Sequence, residues 1–310
     1  MSSTASVVAL AAPTRRFHQY ESAMRAVGAY ERRLCEDASR RRAMGLGVTD
    51  QDQPDEAFCQ VPEEAVEPPL AIVGGMGPLA GAQAFRRACA RFRNSRVVAL
   101  YQACSMPDRS TVILRERGQG TSACLDMAAR LAEAVRLVVD VAGAADQPPR
   151  CIVACNSAHY FWPAMQQELA DCPVRMISLV ESSVEALKTS SCRRALLLAT
   201  EGARVGQVFS APCREAGVAA EEPSPQLSQL LMRAIFEGIK SFNNRRAVEL
   251  GNEFFEAVLE SNRECDCILA GCTEIPLTID LLKRRGSAGV AAFLSRARIV
   301  DPVEEALRRA

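Results

Sequence analysis

From Leu70 onward, short apolar runs alternate with longer stretches in which apolar residues recur at spacings of three and four, and each run is broken by a glycine or a polar turn. Runs without a polar face suit strands buried on both sides, and the helical stretches between them supply the covering layers, so the pattern predicts an α/β fold built on parallel sheets. The expected strands are 70–73, 96–101, 151–154, 175–177, 195–199, 267–270 and 298–300. Helical spacing is clearest over 124–141, where Leu125, Ala128, Ala129, Ala132, Val135, Val138 and Val139 share one side.

Two pairs of segments echo each other. Cys151-Ile-Val-Ala-Cys155-Asn-Ser and Cys267-Ile-Leu-Ala-Gly-Cys272-Thr-Glu each place a cysteine just past a buried strand, ahead of residues suited to capping a helix. Ile177-Ser-Leu-Val-Glu181 resembles Val300-Asp-Pro-Val-Glu304 in the same way. The echoes predict two pseudo-symmetric lobes, each a parallel sheet flanked by helices, with a site in the cleft between them. Lobe 1 is expected to hold about 70–178 plus 300–310, the last strand and helix returning to it, and lobe 2 about 179–299.

The first 69 residues break this rhythm. Arg15, Arg16, Arg25, Arg32, Arg33 and Arg40 to Arg42 make the first part basic, and a helix is expected over 19–44 with Tyr20, Met24, Val27 and Leu34 on a narrow apolar side. After Gly45 the sign inverts through Asp50, Asp52, Asp55, Glu56, Glu63, Glu64 and Glu67, with Pro54, Pro62, Pro68 and Pro69 among them. This part reads as a proline-broken, partly disordered linker. Residues 1–69 are therefore expected to form a separate extension that the chemistry does not need. Its acid-poor, Ser- and Arg-containing start also fits a targeting or secretion role for this extension.

Lys+Arg and Asp+Glu are both 37, so the overall field favours neither nucleic acid nor an anionic membrane surface. No apolar run approaches the ~20 residues of a membrane span. Only His18 and His159 are available, which disfavours multi-histidine metal sites and Ser-His-Asp triads. The 13 cysteines lack framework spacing and read as reduced thiols of a cytoplasmic protein, the alternative being an organelle-targeted or secreted effector.

A thiol at the carboxyl end of a parallel strand and the start of a helix lies where α/β proteins bind ligands, and the helix end favours its thiolate. Two such thiols facing across a cleft suit inversion of a stereocentre, because one face of the substrate meets a base and the other an acid of similar strength. No pyridoxal phosphate, metal or nucleotide is needed for that chemistry. Gly75-x-Gly77-x-x-Ala80 also fits a dinucleotide fingerprint, but no acidic residue ends the strand at 96–101, so the loop with Gly75 and Met76 reads as a backbone cradle for a carboxylate. Arg109, in a polar turn, could hold a carboxylate through its planar fork. Asn156, Ser157, Thr200, Thr273 and Glu274 fall on turns facing the cleft, where they could bind substrate groups, cap helices or do both. His159, one turn beyond Cys155, reads either as tuning that thiol or as packed against its own turn.

Gly74-Gly-Met-Gly-Pro78, Pro107-Asp-Arg109, Cys155-Asn-Ser-Ala-His159, Leu198-Ala-Thr-Glu-Gly202, Glu237-Gly-Ile-Lys240, Gly271-Cys-Thr-Glu-Ile-Pro276 and Asp301-Pro302 occur in that order. Through them, residues 70–310 resemble the aspartate/glutamate racemase superfamily, most closely its aspartate racemase type. The resemblance implies two α/β lobes, pairing as a homodimer, and cofactor-independent interconversion of L- and D-aspartate, with glutamate possible, in which Cys155 and Cys272 are the acid and base. It also implies a substrate role for Lys240, one of only three lysines in the chain. Ala154 and Ser157 stand where the family often has Pro and Thr. Glu274 stands where cell-wall glutamate racemases usually carry His, which favours the aspartate type. Maleate isomerases of the superfamily keep both cysteines, so cis-trans isomerisation is an alternative, as is a binding or effector protein on the same fold.

Overall fold

In the computed structural model, the described residues are 14–310 apart from 94, 117, 119, 144–145 and 262–264. The strands are β1 (Thr14–Phe17), β2 (Glu56–Gln60), β3 (Leu70–Gly74), β4 (Val98–Gln102), β5 (Arg150–Val153), β6 (Arg175–Ile177), β7 (Arg194–Leu197), β8 (Ala219–Glu221), β9 (Cys267–Leu269) and β10 (Ile299–Val300). They form two sheets, ordered β1-β2-β4-β3-β5-β6 and β10-β9-β7-β8. All pairings are parallel except β2 with β4.

Side-chain alternation explains the layers of the first sheet. Leu70 and Ile72 of β3, with Val98 and Leu100 of β4, point to a core shared with helices Tyr20–Ala43, Pro78–Arg91 and Pro302–Arg309. Ala71, Val73, Ala99 and Tyr101 point the other way, against Met127, Leu131, Val135 and Val138 of helix Ser122–Ala142. The second sheet is covered by helices Asn244–Glu260, Glu274–Arg285 and Ala288–Arg296 on one side. On its other side lie Val180 and Leu187 of helix Leu179–Thr189 and Cys213 of helix Ser210–Glu215. The fold class is α/β, as the alternation predicts, with two lobes, as the segment echoes predict. Among the described residues, no helix is long and apolar enough to cross a membrane.

The N-terminal segment differs from the expected linker. Residues 14–60 add β1 and β2 to the first sheet, and the acidic stretch contains a fully buried strand. Phe58 is the reason: its ring meets Tyr30 edge-on at 5.4 Å and Phe85 at 6.3 Å, and burying such a side chain contributes about 1.5–3 kcal/mol. Pro54 and Pro62 flank β2 rather than interrupting it. Part of the inverted charge pattern is internal pairing, with Glu56 meeting Arg15 and Arg33, and Asp52 meeting Arg41. Residues 1–13, the first part of the extension read as a targeting or secretion segment, lie outside the described residues.

A second difference concerns the chain end. β10 pairs with β9 in the second sheet, so the last strand does not return to lobe 1. Only helix Pro302–Arg309 does, burying Val303, Ala306 and Leu307 beside Phe85 and Ile152.

Candidate active site

The carboxyl ends of β3, β5, β7 and β9 converge on one cavity. Its lining is Met76, Asp108, Arg109, Ser110, Cys155, Asn156, Ser157, Thr200, Phe236, Lys240, Gly271, Cys272, Thr273 and Glu274. Cys155 arrives two residues past β5 and Cys272 three residues past β9, so the two sheets deliver one thiol each. The space open to the centre of a water molecule is about 10 Å³, room for about one water. The two lobes touch beside it, through contacts that include Ser110 Oγ to Thr200 Oγ1 at 3.1 Å and Asn156 Nδ2 to the Ala270 carbonyl at 3.1 Å.

The two thiols have different surroundings. Cys272 Sγ donates to Glu274 Oε2 at 2.9 Å, and Thr273 Oγ1 donates to the same oxygen at 3.1 Å. Burial pushes the Cys272 thiol well above its ordinary pKa, and the Glu274 charge and hydrogen bond push in the same direction, outweighing the Glu274 backbone N–H and the Lys240 charge. Cys155 Sγ instead lies 3.4 Å from Ser157 Oγ. Glu274 Oε1 has no hydrogen-bond partner among the described residues, although the side chain is only 1% exposed. Gly77 makes room for this carboxylate, since a Cβ there would lie 1.7 Å from Oε1.

In the same lining, Met76 forms a carbonyl hub. Its oxygen accepts from Arg109 NH2 at 2.9 Å and from Lys240 Nζ at 3.1 Å, which brings two buried cations together. The preceding Gly75 permits the turn, with φ of +87° and the Ala103 nitrogen 2.4 Å from where a Cβ would stand. Arg109 is further fixed by the carbonyls of Pro107 at 2.8 Å and Met106 at 3.3 Å. Lys240 follows a π-helical turn, Ala234–Ile239, and sits over the Phe236 ring at 5.3 Å. Burial raises the pKa of Asp108, but Arg109 and the Thr111 N–H at 2.7 Å outweigh it and hold the carboxyl below its ordinary value.

Residues 73–310 match the family model for Asp/Glu/Hydantoin racemase. The chain belongs to that family. Among solved structures, it is similar to the aspartate racemase of Picrophilus torridus, at 18% identity and a TM-score of 0.56, covering 78% of this chain and 92% of that one. It is also similar to a putative Asp/Glu racemase from Yersinia pestis, at 16% identity and a TM-score of 0.51, with 78% and 97% covered. At these identities the likeness is one of fold. The family match begins at residue 73, leaving β1, helix Tyr20–Ala43 and β2 outside it.

Of the residues singled out in the sequence, Met76, Arg109, Cys155, Asn156, Ser157, Thr200, Lys240, Cys272, Thr273 and Glu274 line the cavity, whereas Gly75 acts behind it. Asp108, Ser110, Phe236 and Gly271 complete the lining. Thr200 caps its helix through Ala203 N at 3.4 Å, but Asn156 and Thr273 make no side-chain cap bond.

His159 is packed away from the cavity. Its Nδ1 lies 3.1 Å from the Cys155 carbonyl, its Nε2 accepts from Leu179 N at 3.0 Å, and its ring stacks on Trp162 at 4.7 Å. These contacts fix a neutral tautomer with the proton on Nδ1, bracing the turn that carries Cys155. Burial lowers its pKa from 6.5 to about 4. A depressed folded pKa contributes stability above pH 6.5 that is lost as pH falls toward 4, here about 3 kcal/mol. Denaturant titrations between pH 7 and 4 should show this loss, and His159→Gln should flatten that part of the profile.

Proposed function

We propose that the protein interconverts L- and D-aspartate, with glutamate as a second substrate, by transferring protons at Cα between the thiols of Cys155 and Cys272 without a cofactor. The observation that carries this reading is that two thiols, one from each sheet, line a single cavity that also holds Arg109 and Lys240 on one carbonyl oxygen. Aspartate carries two carboxylates and one ammonium group. The two cations match the carboxylates, and Asp108 with the unpartnered Glu274 Oε1 offers acceptors for the ammonium.

The hydrogen bond from Cys272 to Glu274 assigns the first roles. Cys272, held as a thiol against that carboxylate, is the proton donor, and Cys155 on the other face takes the Cα proton. When Cys155 has received that proton and Cys272 has delivered its own to the opposite face, the roles are exchanged and the other enantiomer can react. Purified full-length protein incubated with L-aspartate should produce D-aspartate until the two are equimolar, as read by chiral chromatography. If no D-enantiomer formed from either aspartate or glutamate, the reading would fail.

A further inference from the structure

The N-terminal segment, which lies outside the family match, touches both cation-bearing loops of the site. Asp55, just before β2, accepts from Tyr101 Oη at 2.9 Å through Oδ2, from Ser105 N at 2.8 Å through Oδ1 and from Ser105 Oγ at 2.8 Å through Oδ2. Gln51 Nε2 donates to the Met106 carbonyl at 3.4 Å, the same oxygen that accepts from Arg109 NH1. One carboxylate and one amide thus fix the loop whose carbonyls aim Arg109.

The other cation is braced from the end of helix Tyr20–Ala43. Arg42 donates to the carbonyls of Ser241 and Phe242, the two residues after Lys240, and Ser241 Oγ donates to the Val48 carbonyl at 3.3 Å. Phe242 has a φ of +53°, a conformation that bulky residues rarely adopt and that needs surrounding structure to hold it. Its buried side chain and the Arg42 contact supply that structure.

We infer that residues 42–55 are a positioning element for this active site, with Asp55 setting the Arg109 loop and Arg42 setting the turn behind Lys240. The expected dispensability of residues 1–69 is replaced by this assignment, which rests on the acidic-substrate reading above. Asp55 and Arg42 are positioning residues, because each acts on the substrate through another side chain.

The test uses the full chain with Asp55→Ala, Arg42→Ala and the conservative Asp55→Asn, which retains an acceptor for Ser105. Each alanine variant should raise KM for aspartate about tenfold, and lower the preference for aspartate over alanine by a similar factor, with kcat changed less. Asp55→Asn should recover most of the loss. A variant that merely folds less well loses active molecules, which lowers kcat and leaves KM and substrate preference unchanged, and that result would overturn the inference. Hydrogen exchange supplies an arm independent of activity: amides over 103–109 should exchange faster in Asp55→Ala, while those over 124–141 remain protected. Unchanged exchange over 103–109 would also overturn it. If the wild-type chain did not racemise aspartate, the functional reading would fail while the exchange arm still decided the positioning role.

Discussion

Replacing Cys155 or Cys272 by alanine is expected to lower racemisation of aspartate by at least about 10²–10⁴-fold, the scale of removing a positioned acid or base. Both directions should be lost in each variant, because the forward and reverse reactions pass through the same transition state and inversion needs a proton group on each face. The folded state should survive, since alanine leaves each strand-end turn intact and both cysteines are small residues at the edge of the cores. Alanine at Cys59, Cys89 or Cys192, which are buried in the cores away from the cavity, should retain the chemistry. Chiral assays of the five variants with matched circular dichroism spectra check this. Near-normal turnover in either cavity variant would show that the thiol pair is misassigned.

Methionine at Arg109 or Lys240 is expected to lower kcat/KM for aspartate by about 2 kcal/mol, roughly thirtyfold, as for loss of a charge-assisted contact. The two cations meet at the Met76 carbonyl, so an anionic group bound there relieves their mutual repulsion. Asp108 and Glu274 offset part of that charge within the same lining, which leaves the cavity matched to a zwitterion with an added carboxylate rather than to an anion of any kind. Alanine and asparagine should therefore be poor substrates. Glutamate should be used within a few kcal/mol of aspartate, since one methylene shifts specificity by only ~1–3 kcal/mol. Competition assays giving equal kcat/KM for alanine and aspartate would remove the acidic-substrate reading while leaving the two-thiol mechanism standing.

The strands that frame the site are legible in the sequence because β3, β4 and β5 are apolar runs covered on both faces. β1 is not, since Thr14, Arg15 and Arg16 are exposed on the sheet edge. β2 hides for a different reason: Glu56 and Gln60 are polar yet buried, and Glu56 is tolerated there because Arg15 and Arg33 meet it from residues distant in sequence. β8 is a partly exposed edge strand with little apolar signal. In the site, the cysteines stand out because strand, thiol and helix start repeat twice along the chain. Asp108 and Ser110 carry no such signal beside Arg109, and Phe236 reads as an ordinary helical apolar residue until the π-helical turn carries it to the cavity. No local pattern could have shown Asp55 reaching Ser105, fifty residues further on.

The central claim is that two groups, one on each face of Cα, share the proton transfer. Racemisation of L-aspartate in D2O, stopped at low conversion and followed by mass analysis of the separated enantiomers, tests it directly. One thiol removes protium and the other delivers a solvent-derived hydrogen, so the D-aspartate formed should carry one Cα deuterium while the remaining L-aspartate keeps its protium. Deuterium appearing equally in both enantiomers from the first turnovers, or protium carried intact into D-aspartate, would contradict the account by showing a single group working on both faces.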